Sequence, residues 1–178
     1  MTGSSRIATT ALEFRSAFDQ VYAVPPPALA SEHSENLLAI KLAGDPYAMR
    51  VSQITGLATD RKIIVLPSPV PELLGVAGIR GGLVPVYSLA ALLGHSHEVN
   101  HPRWLALCGA EEPVGLAFGD FEGYLKVSSS QIFVDSRNHA IREHVRDAVR
   151  TADVVREIVN IPSVVETIKR RCGQGRVL

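Results

Sequence analysis

The stretch GVAGIRGGLVPV, residues 75–86, places four glycines around one arginine and continues directly into an apolar run. Such a stretch can be a phosphate-binding loop or a turn between strands. The dinucleotide fingerprint needs a strand before the glycines and a helix after them, and a Walker loop needs a lysine. Here a proline-rich connection precedes the glycines and a proline-containing strand follows them. The sequence therefore predicts a tight turn, in which Gly81 and Gly82 adopt positive φ angles beside Arg80.

Short strands are predicted on both sides of this turn. Apolar residues alternate with other residues over 37–51, interrupted only by the turn-forming sequence AGDP, which is typical of a hairpin with one buried face. The segment KIIVLP predicts a strand closed by Pro67, and residues 71–74 favour one helical turn. The strand GLVPVYSL is followed by LAALLG, which predicts a short helix capped by Gly94.

The second half of the chain repeats this order. The polar segment HSHEVNHP, residues 95–102, is the predicted lobe boundary, and RWLALCGAEEPVGLAFGDFEGYLKV after it reads as strand, turn and strand. Residues 139–150 favour a helix by propensity, VVREIVNI favours a strand, and the segment from Pro162 favours a terminal helix. Many short strands with little helix predict an all-β barrel architecture, and the shared order of the halves fits two similar barrels.

The N-terminal segment has a different pattern. Apolar residues at helical spacing form one predicted stripe: Ile7, Ala11, Phe14, Phe18 and Val21. The prolines at 25–27 end this amphipathic helix, and a polar linker follows. We expect the stripe either to pack on its own domain or to dock on a partner.

Composition limits the classes of function. The chain has 178 residues with 18 basic and 18 acidic side chains, so its formal net charge is zero. Without an excess of positive charge or a basic stripe, we expect no nucleic-acid partner. No apolar stretch has the length of a membrane span, and the start lacks the apolar core of a signal peptide, so we expect a cytoplasmic location without membrane insertion. Two cysteines do not make a disulfide framework.

The candidate chemical sites have simpler explanations. His95, His97 and His101, with Cys108 beyond them, lack a familiar zinc-ligand spacing. Asp120 and Glu122 share one strand face, as polar residues on an outer face do. No nucleophile elbow is present, and Cys108 lies among apolar neighbours that would make its thiol inert. We therefore expect a binding domain rather than an enzyme, with no catalytic residue, cofactor or metal.

The same residues resemble a known family. The segments YAMRVSQITGL and KIIVLPSPVPELLGVAGIRGGLVPVYSLAALLG are similar to the core of the CheW-like domain of bacterial chemotaxis coupling proteins. The segment PVGLAFGDFEGYLKV resembles the second-lobe hairpin of that family, and VVREIVNIPSVVETI resembles its closing strand and terminal helix. The similarity covers about residues 37–168 and is most specific over 67–94.

This resemblance implies a fold of two packed five-stranded SH3-like barrels with short helices, here preceded by the N-terminal helix and linker of residues 1–36. The CheW-like domain would span 37–178, with the first barrel at about 37–94, the second at about 102–168, and a basic tail. The implied function is a non-catalytic adaptor at receptor clusters. Its implied partners are the chemoreceptor cytoplasmic tip, the regulatory barrel domain of a histidine kinase, and other CheW-like proteins.

The predicted protein-binding residues surround the opening turn: Gly78, Ile79, Arg80, Gly81, Val84 and Val86. Alternation along a strand predicts that half of the apolar ones belong to the core instead. The chain departs from the family at Gly56, where a glutamate is common and could pair with Arg80, and at Ser88, where an aspartate is usual. Gly119 and Gly123 replace acidic residues in the second lobe. These departures predict one weakened partner surface, on the kinase side.

Two alternatives remain at this stage. The chain could be a CheW-like scaffold in a motility or developmental pathway outside chemotaxis. It could also be a small barrel that binds a ligand or acts as an enzyme, in which case small molecules rather than a receptor-tip peptide would change its thermal stability.

Overall fold

The computed structural model describes residues 34–95, 102–134, 143–151 and 154–174. The predicted N-terminal helix, most of its linker, and His97 and His101 lie outside these residues. The described residues fall within one compact unit, Ser34–Leu178. No helix among them is long and apolar enough to cross a membrane.

Twelve strands and two α-helices make up the described fold. The strands are β1 (Ser34–Leu42), β2 (Asp45–Arg50), β3 (Gly56–Thr59), β4 (Ile63–Ile64), β5 (Leu73–Ile79), β6 (Gly82–Ser88), β7 (Trp104–Cys108), β8 (Val114–Phe118), β9 (Asp120–Ser128), β10 (Ile132–Val134), β11 (Val145–Thr151) and β12 (Val154–Val159). The helices are α1 (Leu89–Leu92) and α2 (Ile161–Gln174), and 3₁₀ turns lie at Val51–Gln53 and Ser129–Gln131. The predicted all-β class is confirmed.

The strands form two six-stranded sheets. The terminal sheet has the order β10-β11-β12-β2-β1-β9, and the central sheet has the order β3-β7-β8-β6-β5-β4. The pairings are antiparallel except for β12 with β2 and β6 with β8. Each sheet has one strand more than the five expected, and each takes strands from both sequence segments that were assigned to separate barrels.

Each sheet must curl on itself. The edge strands of the central sheet, β3 and β4, are joined by residues 60–62 alone. Three linking residues span about 14 Å at most, whereas six strands laid flat would separate their edges by about 24 Å. The terminal sheet has the same constraint, since its edge strands β9 and β10 are joined by the short turn Ser129–Gln131. The two sheets therefore close into two barrels, each built from strands of both halves of the chain.

Apolar residues on successive positions fill three cores. In β7, Ala106 and Cys108 face a large core shared by both barrels, while Leu105 and Leu107 face a smaller core inside the central barrel. A third core, inside the terminal barrel, includes Leu37 of β1. Strands buried on both faces need continuous apolar runs, which explains WLALC and VGLAF better than simple alternation does.

The terminal helix joins the two barrels. Its apolar residues Ile161, Val164 and Ile168 enter the large shared core. Near its start, the Ser163 hydroxyl lies 2.9 Å from His144 Nδ1, and burial lowers the pKa of that imidazole. Near its end, Cys172 Sγ lies 3.1 Å from the Tyr87 hydroxyl of β6, where burial, followed by this hydrogen bond, raises the pKa of the phenol.

Three predicted elements were wrong. Residues 145–151 form β11 rather than a helix, because pairing on both sides with β10 and β12 outweighs helical propensity. Residues 139–142 of that predicted helix lie outside the described ones. The expected strand over KIIVLP shrinks to Ile63–Ile64, and the helical turn expected at 71–74 gives way to β5, which begins at Leu73.

Candidate protein-binding site

The stretch that opened the sequence analysis is a β-hairpin. Ile79 of β5 pairs with Gly82 of β6, which leaves Arg80 and Gly81 as a two-residue turn. Their φ angles are +50° and +82°, the signs that a type I′ turn requires at both central positions. The sequence had assigned the positive φ angles to Gly81 and Gly82, which was wrong by one residue, since Gly82 already belongs to the strand.

The strand before the turn corrects a second point. The sequence predicted a proline-rich connection directly ahead of the glycines, yet β5 runs directly into the turn. A strand also follows it, so the connection is strand–turn–strand rather than the strand–loop–helix of nucleotide-binding folds.

Arg80 is exposed and extends toward β3. Its Nη2 lies 3.4 Å from the point that a Cβ on Gly56 would occupy. The same point lies 3.6 Å from Leu107 Cδ1, so a side chain at this position would lie between the arginine and a leucine of the core inside the central barrel. No hydrogen bond or ion pair joins the Arg80 guanidinium to any other residue in the described ranges. Gly56 therefore lies where a carboxylate could reach this arginine.

The apolar residues of the predicted set are buried. Ile79, Val84 and Val86 are 7%, 4% and 0% exposed, and all three lie in the core inside the central barrel. The exposed members of the set are Gly78, Arg80 and Gly81.

Leu83 was missed by the sequence reasoning. It is 74% exposed and pairs with Gly78, and nothing lies within 4 Å of the position that a Gly78 Cβ would take. Alternation places Leu83 on the face opposite Val84 and Val86, so its exposure follows once those two residues are known to be buried.

Further apolar residues share this outer face. Val76 pairs with Pro85 on one side and with Ile64 on the other. Ile63 packs on the inner core, so Ile64 faces outward, and it is followed by Val65 and Leu66, which are also exposed. We call the surface formed by Ile64, Val76, Leu83 and Pro85 the outer apolar face of the central barrel.

Basic residues flank this face. Arg61 and Lys62 are exposed and directly precede β4, whose first residue pairs with Ala77 near the end of β5. Continuing that antiparallel register takes them toward the hairpin turn. The neighbouring Asp60 pairs with Arg103 at 3.4 Å. Although the whole chain has no net charge, three cations lie toward this end of the barrel: Arg61, Lys62 and Arg80. Within the described residues, none of these three side chains has a carboxylate partner.

Ser88, which stands where the family usually has an aspartate, has a structural role. Its hydroxyl accepts a hydrogen bond from the Ala91 amide at 3.2 Å, which caps the start of α1. An aspartate can make the same bond, so serine preserves this part of the pattern.

The other sequence candidates have structural partners. His95 Nε2 lies 2.9 Å from the buried Tyr47 hydroxyl. Burial raises the pKa of the Cys108 thiol to about 12, which keeps it protonated and unreactive. Glu122 pairs with Lys41 at 2.9 Å and Arg156 at 2.6 Å, and the hydrogen bond from Lys41 contributes most to lowering its pKa. Within the described residues, no group of three or more potential metal ligands occurs.

A comparison with protein families decides the classification. The model of the CheW-like domain matches residues 36–170, which include both barrels and most of α2. This chain belongs to the CheW-like domain family. The resemblance inferred from the sequence is thereby confirmed, and a chemotaxis-type scaffold is the class of protein that it indicates.

The solved structures similar to this CheW-like chain include the scaffolding protein TtCheW from Thermoanaerobacter tengcongensis. That likeness has a TM-score of 0.63 at 16% sequence identity, and it covers 70% of this chain and 88% of that one. At this identity the match supports the fold alone. No curated protein matches the chain.

Proposed function

We propose that this CheW-like chain is a non-catalytic adaptor that links chemoreceptors to a histidine kinase. The family match across both barrels, residues 36–170, carries the proposal. An adaptor needs surfaces rather than a reaction centre. The hairpin turn supports this reading, since Arg80, Gly81 and Leu83 are exposed around it. Its partners would be the receptor cytoplasmic tip, the kinase regulatory barrel domain and other CheW-like proteins, at receptor clusters in the cytoplasm.

We further propose that the kinase-side surface is weakened. With glycine at position 56, the Arg80 guanidinium has no carboxylate on β3 to fix it. A kinase-side surface that needs a fixed arginine is less preorganised here, because the guanidinium must lose rotamer freedom when the kinase binds, and the unfixed guanidinium is left available to another partner. A loss of preorganisation lowers the affinity for a partner even when the same residues are exposed at the surface. A diverged adaptor can therefore retain its fold while losing one partner.

The test is a pair of equilibrium binding measurements on the full chain. One uses the cytoplasmic tip of the cognate receptor, and the other uses the regulatory barrel domain of the cognate kinase. We expect reversible receptor binding and weaker kinase binding. Equal, full binding to both would reject the weakened surface, and binding to neither would reject the adaptor function. Thermal shift with small molecules, which we expect to have no effect, separates this function from a ligand-binding barrel.

A further inference from the structure

The backbone at Arg80 is costly for an arginine. Its φ of +50° is strained for a residue with a long side chain, and glycine or asparagine would fit this turn position with less strain. Ala43, in the turn between β1 and β2, has nearly the same φ, so the turn does not require an arginine and the arginine side chain needs another explanation. The guanidinium extends over Gly56, yet it meets no acceptor within the described residues.

The environment of the arginine defines what it could bind. The side chain presents five donors in a planar fork that matches a carboxylate. Beside the turn, Leu83 stands on the outer apolar face and Gly78 leaves the surface above it open. Arg61 and Lys62 add positive charge toward the same end of the barrel. Cations beside an apolar surface are complementary to an acidic segment that also carries an apolar side chain.

We propose that a partner protein supplies the carboxylate for Arg80, from a segment that also places an apolar side chain on Leu83. This inference rests on the proposed adaptor function and deepens it, because it names the chemistry of the partner segment. Position 56 would then act as a selector. Glycine leaves Arg80 available to a partner, whereas an acidic residue there would engage the same guanidinium within the chain.

The experiment compares charge variants of the full chain in the two binding assays described above. Arg80→Glu should weaken the binding that uses this surface at least tenfold. Lys126→Glu is the matched control, since it reverses an exposed cation on β9 of the terminal barrel and should change affinity less than about twofold. Circular dichroism spectra and thermal unfolding identify any variant that has lost its fold.

A second pair of variants tests the selector. Gly56→Glu should weaken the same binding about threefold or more, because its carboxylate competes for Arg80. Gly56→Gln has the same size without the charge and should weaken it clearly less. In a charge-swap scan, replacing the correct acidic residue of the partner by arginine should restore binding to Arg80→Glu.

The outcomes are separable. If the wild-type chain binds neither partner, the adaptor function fails and this inference fails with it. If the wild-type chain binds but Arg80→Glu and Gly56→Glu bind equally well, the inference alone is overturned. Arg80-dependent binding to phosphatidylserine vesicles, with unchanged protein binding, would also overturn it by assigning the cation cluster to a lipid surface.

Discussion

The two barrels contain the same turn with different first residues. In the terminal barrel, Ala43 and Gly44 connect β1 to β2 with φ angles of +51° and +91°. In the central barrel, Arg80 and Gly81 connect β5 to β6 with φ angles of +50° and +82°. The backbone requirement is therefore equal, and alanine satisfies it in one barrel. The arginine in the other barrel is not needed by the turn, so its side chain is what requires explanation.

The largest expected effect is the loss of stability when a glycine with a positive φ is replaced by alanine in each barrel. In the central barrel, a Cβ on Gly75 (φ +142°) would lie 2.1 Å from the Ile64 carbonyl oxygen, where β4 packs against the β5 bulge. Because backbone cannot move away cheaply, Gly75→Ala should lower the free energy of unfolding by at least about 3 kcal/mol. Chemical denaturation measures this loss.

Gly44→Ala is the matched control in the terminal barrel. Its φ is also positive, but nothing lies within 4 Å of the added Cβ, so the loss should be about 1 kcal/mol. Equal losses at the two sites would show that strain in φ alone, rather than the close approach of β4, determines the cost.

The next effect compares the two turns directly. Ala43→Gly and Arg80→Gly both relieve a strained φ, and each should raise the free energy of unfolding by roughly 0.5–1 kcal/mol after the extra entropy of glycine is subtracted. Denaturant midpoints at equal m-values test this. A clear loss of stability in Arg80→Gly, with a gain in Ala43→Gly, would mean that the arginine holds the barrel together.

The smallest effect is electrostatic and belongs to the central barrel alone. Gly56→Glu should be more stable than Gly56→Gln by about 0.2–1 kcal/mol, as for an exposed ion pair with Arg80, and the difference should shrink in 1 M salt. Thermal unfolding of both variants at low and high salt measures it. Identical stabilities would indicate that a carboxylate at position 56 does not engage Arg80.

The comparison also indicates how much of the fold could be predicted from the sequence. Alternation and the AGDP turn were sufficient to predict β1 and β2, and proline with a basic end was sufficient to predict α2. Helical propensity failed over 145–151, because that segment is held by pairing with β10 and β12, which propensity does not include. The assignment of strands to sheets could not be predicted either, since each barrel combines distant segments of the chain.

The candidate site was likewise only partly predictable from the sequence. Sequence identified Arg80 and pointed to Gly56 as its missing partner, and the structure brings the two positions together. The sequence could not place Ile79, Val84 and Val86, because alternation fixes which residues share a face but not which face is buried. That ambiguity also hid Leu83, the most exposed apolar residue of the hairpin.

The most direct test of the central claim is partner binding by Arg80→Gly, measured beside Ala43→Gly. Both variants keep the turn, and neither should be less stable than the wild-type chain. If the arginine is present for its side chain, Arg80→Gly will bind the receptor tip or the kinase barrel domain at least tenfold more weakly, and Ala43→Gly will bind normally. Wild-type affinity of Arg80→Gly for both partners would contradict this account.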